Sequence, residues 1–354
     1  MCRTVNGLDA NALSNFKENI QHVINGDISK IDTVFSGSIK DGRGNICPVT
    51  IILPTLAMEA GGNKDKFMTL LDKKIHEAKD MLIERFNYIC SQSPASAKFM
   101  YENGTMAGYK PEEGIRSALK HGTLVIGQLG LAEALEIVIG TDQTTPEGMA
   151  FAKEVEALFN KRCAEFKKAL SLNFGVYYTP AESLCYTAFK KWREKYGDRE
   201  NVTYYIDKDG NRHDKLYFTN SIHVPVYKEM SPFKKIDIES ELTPYSNAGC
   251  ITYAEVLHDA IHNTEALEEL VHYAMAKDIP YFAINSSNDL CESCGYQGAI
   301  TDRCPKCGSE NVSRLKRVTG YLTGSYRDAF NPGKIVETDQ RVVHKDTADF
   351  TKKQ

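Results

Sequence analysis

The sequence predicts an α/β protein, and three observations carry that expectation. Short apolar, β-branched runs alternate with long amphipathic helical patterns along most of the chain. The two kinds of segment are interleaved and not gathered into all-α and all-β blocks. A chain of 354 residues, 42% hydrophobic and 25% charged, is also long enough to bury a substantial core as one large domain or two ordinary ones.

The stretch to about Asp41 is polar and mixed and ends in the turn-like DGRGN. In CPVTIILPTLAM, the run from Val49 to Leu53 closed by Pro54 reads as a buried strand. From Asn63 to Ser91 the apolar positions Phe67, Leu70, Leu71, Ile75, Ala78, Met81, Leu82, Phe86 and Ile89 recur at three and four residues, which predicts a long amphipathic helix. GIRSALKHGTLVIGQLGLAEAL has a strand-like centre, Thr123 to Ile126, between glycines, with a helical pattern after it. A second long helix is expected from Pro146 to about Leu172, since proline suits the first turn and Val155, Leu158, Phe159, Phe166 and Leu170 share a side. FGVYYTP then reads as a strand, AESLCYTAFKKWREKYG as a helix, and VTYYIDKDGNRHDKLYFTNS as a hairpin turning at Asp209-Gly210. Ile251 to Ala276 reads as helical and PYFAIN as a strand, while HKDTADFTKKQ has the composition of a frayed tail.

A net charge of -4 and a pI near 6.2 give no global electrostatic reason to bind a nucleic-acid polymer, so any nucleotide partner is expected to be small. No apolar run is long enough to span a bilayer and no signal peptide is visible, so the cytoplasm is the expected compartment, with no membrane partner. Neither GxxxxGK[ST] nor GxGxxG after a strand occurs, so the usual phosphate cradles of ATPases and dinucleotide oxidoreductases are missing. DKDGN from Asp207 to Asn211 has its glycine at the fourth position and no glutamate at the twelfth, which makes it a turn and not a calcium loop. Glu182 opens a helix, as a cap or dipole residue does.

Ten cysteines in a chain with no secretion signal are expected to be reduced thiols. Cys2, Cys47, Cys90, Cys163, Cys185 and Cys250 show no mutual pairing pattern. Cys291, Cys294, Cys304 and Cys307 stand apart: CESCGYQGAITDRCPKC holds two CxxC knuckles, each able to offer two thiolates to one tetrahedral zinc ion. Four thiolates close the coordination shell, so such a zinc would be structural; two disulfides or four free thiols are the other readings.

After this cluster runs NVSRLKRVTGYLTGSYRDAFNPGKIVETDQRVVH, and RVTGYL, FNPGK and RVVH resemble the glycyl-radical loop of anaerobic (class III) ribonucleotide reductases. TPAESLCYTAFKKWREKYG, YFTNSIHVPVYKEMSPFKKIDIESELTPYSNAGCITYAEV, ALKHGTLVIGQLGLAEAL and DGRGNICPVTIILPTLA resemble the same family, so the likeness covers most of the chain. The resemblance implies the C-terminal half of a glycyl-radical-enzyme α/β barrel over residues 1–290, a zinc ribbon over 291–310, and the radical loop and tail over 311–354.

The same resemblance implies that Gly320 is the radical site, where glycine is needed because a side chain would crowd the planar α-carbon radical; a turn or bulge glycine is the bland reading. It makes Cys2, in the MCR string, the thiyl candidate that abstracts the ribose C3′ hydrogen, against the plain reading of a thiol near a terminus. Asn45 falls where formate-using relatives have an asparagine, although it could simply hold a turn. Cys47 could serve a thiol-based reductant or simply pack. In TNSIHVP, Asn220 and His223 are candidates for the substrate's surroundings, with a hydrogen-bonded core histidine as the alternative for His223.

Implied with these are ribonucleoside triphosphates as substrates, a radical-SAM activase, formate or a thiol protein as reductant, and a homodimer. Because family members are longer upstream, a separate N-terminal reductase polypeptide or a truncated fragment is expected. Relatives commonly show NLPR where this chain has ILPT, so contacts at Ile52 and Thr55 depart from the pattern. Another glycyl-radical enzyme and a non-catalytic zinc-ribbon remnant are the alternatives.

Overall fold

The computed structural model describes residues 44–344 except 104, 107, 287–288, 301–302, 315, 319–320 and 324–325. Strands β1 (Asn45–Ile52), β2 (Thr123–Leu129) and β3 (Asn173–Tyr177) form a parallel sheet in that order, with Val49 opposite Ile126 and Leu124 opposite Phe174. Parallel neighbours need long crossovers, and helices supply them. Helices α1 (Leu53–Ala60) and α2 (Lys64–Cys90) join β1 to β2, while α3 (Leu131–Ile139) and α4 (Pro146–Leu170) join β2 to β3.

Sequence chemistry sets these boundaries. Asn63 caps α2 by accepting from Lys66 N, and Thr145 caps α4 by accepting from Gly148 N, with Pro146 in the first turn. The stripe Phe67, Leu71, Ile75, Ala78, Leu82 and Phe86 of α2 is buried, as is Phe151, Val155, Phe159, Cys163 and Phe166 of α4. Both pack on the sheet face formed by Leu124, Ile126, Phe174 and Val176. Each such apolar side chain contributes about 1.5–3 kcal/mol when fully buried. Edge-on rings stitch the layers together, Phe67 to Phe151 at 5.9 Å and Phe166 to Phe174 at 5.7 Å.

The other face of the sheet mixes small residues with Val125 and Tyr177. Val125, Tyr177 and Ala248 form a separate apolar cluster there, and Thr50 Oγ1 lies 3.0 Å from Thr179 Oγ1. Gly127 sits between those threonines so closely that a Cβ would fall 1.9 Å from Thr179 Oγ1. The edge of β3 continues into the next segment: Ala248 N donates to Val176 O and Tyr178 N to Gly249 O, both at 3.0 Å.

After β3 come α5 (Leu184–Tyr196), the hairpin β4 (Tyr204–Ile206) and β5 (Arg212–Asp214), and α6 (Pro232–Ser240). Strand β6 (Thr252–Val256) then pairs in parallel with β7 (Phe282–Ser286) across α7 (Thr264–Ala276). The hairpin turns where expected, with Asp207 accepting from the backbone of Asp209 and Asn211.

Two expectations need correction. Residues 251–276 are not one helix, because Thr252 to Val256 form β6 and only Thr264 to Ala276 are α-helical. The β-branched and aromatic residues of ITYAEV prefer an extended backbone, and pairing with β7 satisfies it. Leu53 likewise begins α1 and does not end β1, since Pro54 occupies the first turn of a helix that follows the strand without a loop.

A small antiparallel sheet in the order β10 (Val312–Ser313), β8 (Asp289–Cys291), β9 (Gln297–Gly298) follows, then the antiparallel pair β11 (Lys316–Val318) and β12 (Tyr321–Thr323), and helix α8 (Pro332–Asp339). Among the described residues no helix is long and apolar enough to cross a membrane, and no cysteine is joined in a disulfide.

Candidate functional site

The loop after β5 carries Asn220 and His223, and a buried ion pair fixes it. Glu133, in the first turn of α3, takes hydrogen bonds on Oε1 from Lys215 Nζ (2.6 Å), Thr219 N (2.9 Å) and Thr219 Oγ1 (2.7 Å). Both members of the pair are fully buried, a placement that removing either partner would make costly. Gly130 N donates to Thr219 O at 3.1 Å, tying the loop to the C-terminal end of β2.

A cavity opens between this loop, β6 and the segment after α8, lined among others by Asn220, His223, Lys235, Tyr253, Glu255 and Arg341. His223 Nδ1 donates to Glu239 Oε1 at 3.2 Å, and the same oxygen accepts from Val224 N at 3.2 Å. Burial disfavours a charged Glu239, yet Lys235 and His223 outweigh it and hold the carboxyl down at about 2. The carboxylate therefore fixes the His223 tautomer. His223 is a hydrogen-bonded histidine, 8% exposed, on a cavity wall.

The far wall comes from the C-terminal segment. Arg341 binds Glu255 Oε1 through Nη1 and Glu337 Oε1 through Nη2, each at 3.1 Å. Glu337 Oε2 takes Lys334 Nζ at 2.5 Å. Burial and the nearby Lys235 charge push the His344 imidazole down to about 3. That fits its geometry, because Nδ1 accepts from Glu255 N at 2.8 Å. With its amide oriented so that both ends are satisfied, Asn220 donates to Pro180 O at 3.0 Å and accepts from Lys334 Nζ at 2.9 Å.

Asn45 and Cys47 lie elsewhere. Asn45 pairs in register with Thr123, at the opposite end of β2 from Gly130. At about 3.3 Å per strand residue this separates them from the Asn220 loop by roughly 20 Å along the sheet. Asn45 Nδ2 donates to Ala248 O at 2.9 Å, while its buried Oδ1 has no donor among the described residues. Cys47 occupies the irregularity of β1 between Ile46 and Val49, with φ at +52°, a conformation few non-glycine residues adopt. Burial raises its thiol pKa, with Arg85 pulling the other way.

The four clustered cysteines converge as their spacing predicts. Their sulfurs all lie within 4.8 Å of one another, with Cys291 and Cys307 3.5 Å apart and Cys294 and Cys304 3.6 Å apart. Ligands at about 2.3 Å around a tetrahedral ion stand about 3.8 Å from each other, so the set fits one metal with four thiolates. Each CxxC is closed by a turn, Gly295 N donating to Cys291 O and Gly308 N to Cys304 O. Gly295 and Gly308 take the left-handed φ those turns require, at +72° and +73°.

Gly320 and Cys2 lie outside the described residues. The strands on either side of Gly320 in the sequence, β11 and β12, pair antiparallel with Val318 opposite Tyr321. Sequence reasoning missed Lys334, Glu337, Arg341, Glu239 and Lys235. Their only signal was i,i+3 and i,i+4 charge spacing, which ordinarily marks a solvated helix face.

A family model described as anaerobic ribonucleoside-triphosphate reductase matches residues 2–344. The chain belongs to the anaerobic ribonucleoside-triphosphate reductase family. The enzymes of that name from Salmonella typhimurium and Escherichia coli are each 30% identical to it over 319 residues, which is 86% of this chain and 43% of theirs. A solved structure described as anaerobic ribonucleotide reductase superposes with a TM-score of 0.66 at 22% identity, covering 86% of this chain and 45% of that one. The α/β fold is therefore that of the anaerobic reductases, and this chain spans 43% of the length of these Salmonella typhimurium and Escherichia coli relatives.

Proposed function

We propose that this chain is the radical-bearing part of an anaerobic ribonucleoside-triphosphate reductase, with Gly320 as the radical site. The family match, which runs through the segment holding Gly320, carries the reading. In it a radical-SAM activase removes one α-hydrogen from Gly320. The glycyl radical takes the hydrogen atom of the Cys2 thiol, and the resulting thiyl takes the C3′ hydrogen of the substrate ribose. The 2′-hydroxyl leaves as water, formate or a thiol protein supplies the two electrons, and return of the hydrogen to C3′ restores the thiyl.

Residues 1–290 are assigned to the barrel, 291–310 to a zinc ribbon and 311–354 to the radical loop and tail. Cys291, Cys294, Cys304 and Cys307 would hold zinc, and a closed shell gives it a structural role. Asn220 and His223 are assigned to the substrate's surroundings, a role that the buried supports of their cavity favour. Asn45, whose buried Oδ1 can accept from a ligand hydroxyl, is assigned with Cys47 to the substrate and reductant side at the other end of β2. The working assembly is a cytoplasmic homodimer that includes the part of the relatives' length this chain does not span, on this polypeptide or a separate one.

Anaerobic incubation of that assembly with activase, S-adenosylmethionine and reductant tests the reading. A glycine-type doublet by electron paramagnetic resonance, lost in Gly320→Ala, together with deoxynucleotide formation from a ribonucleoside triphosphate, is expected. A doublet accompanied by turnover of a 2-oxoacid, or no doublet at all, rejects it.

A further inference from the structure

The segment that follows β12 is locked to the rest of the fold at several separate places. Asn331 Nδ2 donates to Glu182 O at 3.2 Å, Gln340 Nε2 donates to Asp214 O at 2.9 Å and its Oε1 accepts from Tyr217 at 2.9 Å, and Val342 N donates to Val226 O at 3.0 Å. Gly333 lies so tightly over the loop that a Cβ would come within 2.5 Å of Leu216 O and 2.7 Å of Tyr186 Cβ. Arg341 and His344 complete the attachment at Glu255, on the wall of the His223 cavity.

From this segment Lys334 reaches the Asn220 amide. It is 3% exposed and Glu337, its other partner, 2%. A buried ammonium survives only with such partners. The Asn220 amide in turn spans from Lys334 to Pro180 O, just beyond β3. We infer that Lys334 is a positioning residue that couples docking of the C-terminal segment to the shape of the loop carrying Asn220 and His223. The radical loop's downstream anchor and the cavity would then be set together. Lys334 acts through Asn220 and needs no contact with substrate. The link to substrate rests on the function proposed above; the link between the two segments does not.

Amide hydrogen exchange on the 354-residue chain tests the link itself. Lys334→Met is expected to speed exchange over residues 219–223 about tenfold, the scale of losing one hydrogen bond to a charged group, and to leave α4 unchanged. By reciprocity Asn220→Ala should speed exchange over residues 332–339, and the double variant should exceed neither single variant appreciably. Unchanged exchange over 219–223, or effects that simply add, overturns the inference. If Lys334→Met does not fold, Asn220→Ala decides alone through residues 332–339. In the activated reductase, Lys334→Met should keep the glycine doublet and raise the KM for a ribonucleoside triphosphate about tenfold, with kcat within about twofold. A retained doublet with unchanged KM overturns the coupling to the site. Absence of the doublet in the unsubstituted protein counts against Gly320, and the exchange result then decides for or against Lys334 by itself.

Discussion

Glu156 sits on α4 behind the parallel sheet, fully buried, where its Oε1 accepts from Gln128 Nε2 at 2.6 Å. Burial pushes its carboxyl up to about 8 from the ordinary 4.5, and hydrogen bonds offset only part of that. Because the folded value is raised, the neutral carboxyl favours folding most fully below pH 4.5, and that contribution is lost as pH climbs through about 8. Glu156→Gln keeps the shape and removes the titration. Denaturant melts should therefore show the variant gaining on the natural protein from about pH 4.5 upward and levelling off above about 8. A stability gap that ignores pH contradicts this. Gly127 makes a steric prediction at the same scale. Alanine there would put its Cβ against Thr179 Oγ1 at 1.9 Å, and overpacking of this kind costs about 1–3 kcal/mol, measurable as a lowered unfolding midpoint.

At the scale of elements, the proposed zinc site at Cys291, Cys294, Cys304 and Cys307 makes the plainest prediction. Chelation, or Cys304→Ser, should release one zinc per chain and raise hydrogen exchange over β8 to β10, while α2 and α4, held by their own core, keep their protection. Exchange unchanged by chelation would refute a structural metal. Elements whose signal is local were legible in the sequence. The 3.6-residue stripe of α2, Pro146 at the head of α4 and the two CxxC knuckles each depend on neighbours a few positions away. Strand β6 was not, because its extended form depends on β7, thirty residues on, and a helical pattern follows directly behind it. Nor were Lys334, Glu337 and Arg341. The charges of Lys334 and Glu337 on α8 and of Arg341 just beyond it look like a solvated helix face, and only the packing of this segment against Leu216, Tyr186 and Glu255 turns them inward.

At the scale of the whole molecule, two groups of candidate residues sit at opposite ends of one sheet, Asn45 and Cys47 at one end of β2 and the Asn220 loop at the other. Between them, on the face opposite the helices, Thr50, Gly127 and Thr179 meet closely beside the buried Val125, Tyr177 and Ala248 cluster. The chain accounts for 43% of the Salmonella and Escherichia coli relatives' length. In the proposed reaction the α-carbon of Gly320 carries the unpaired electron, and oxygen reports on it directly. After anaerobic activation and exposure to air, mass spectrometry should find the backbone cut at Gly320 and residues 321–354 released, with no cut in unactivated protein or in Gly320→Ala. An activated, air-exposed chain that stays intact, or one cut at another residue, contradicts the account.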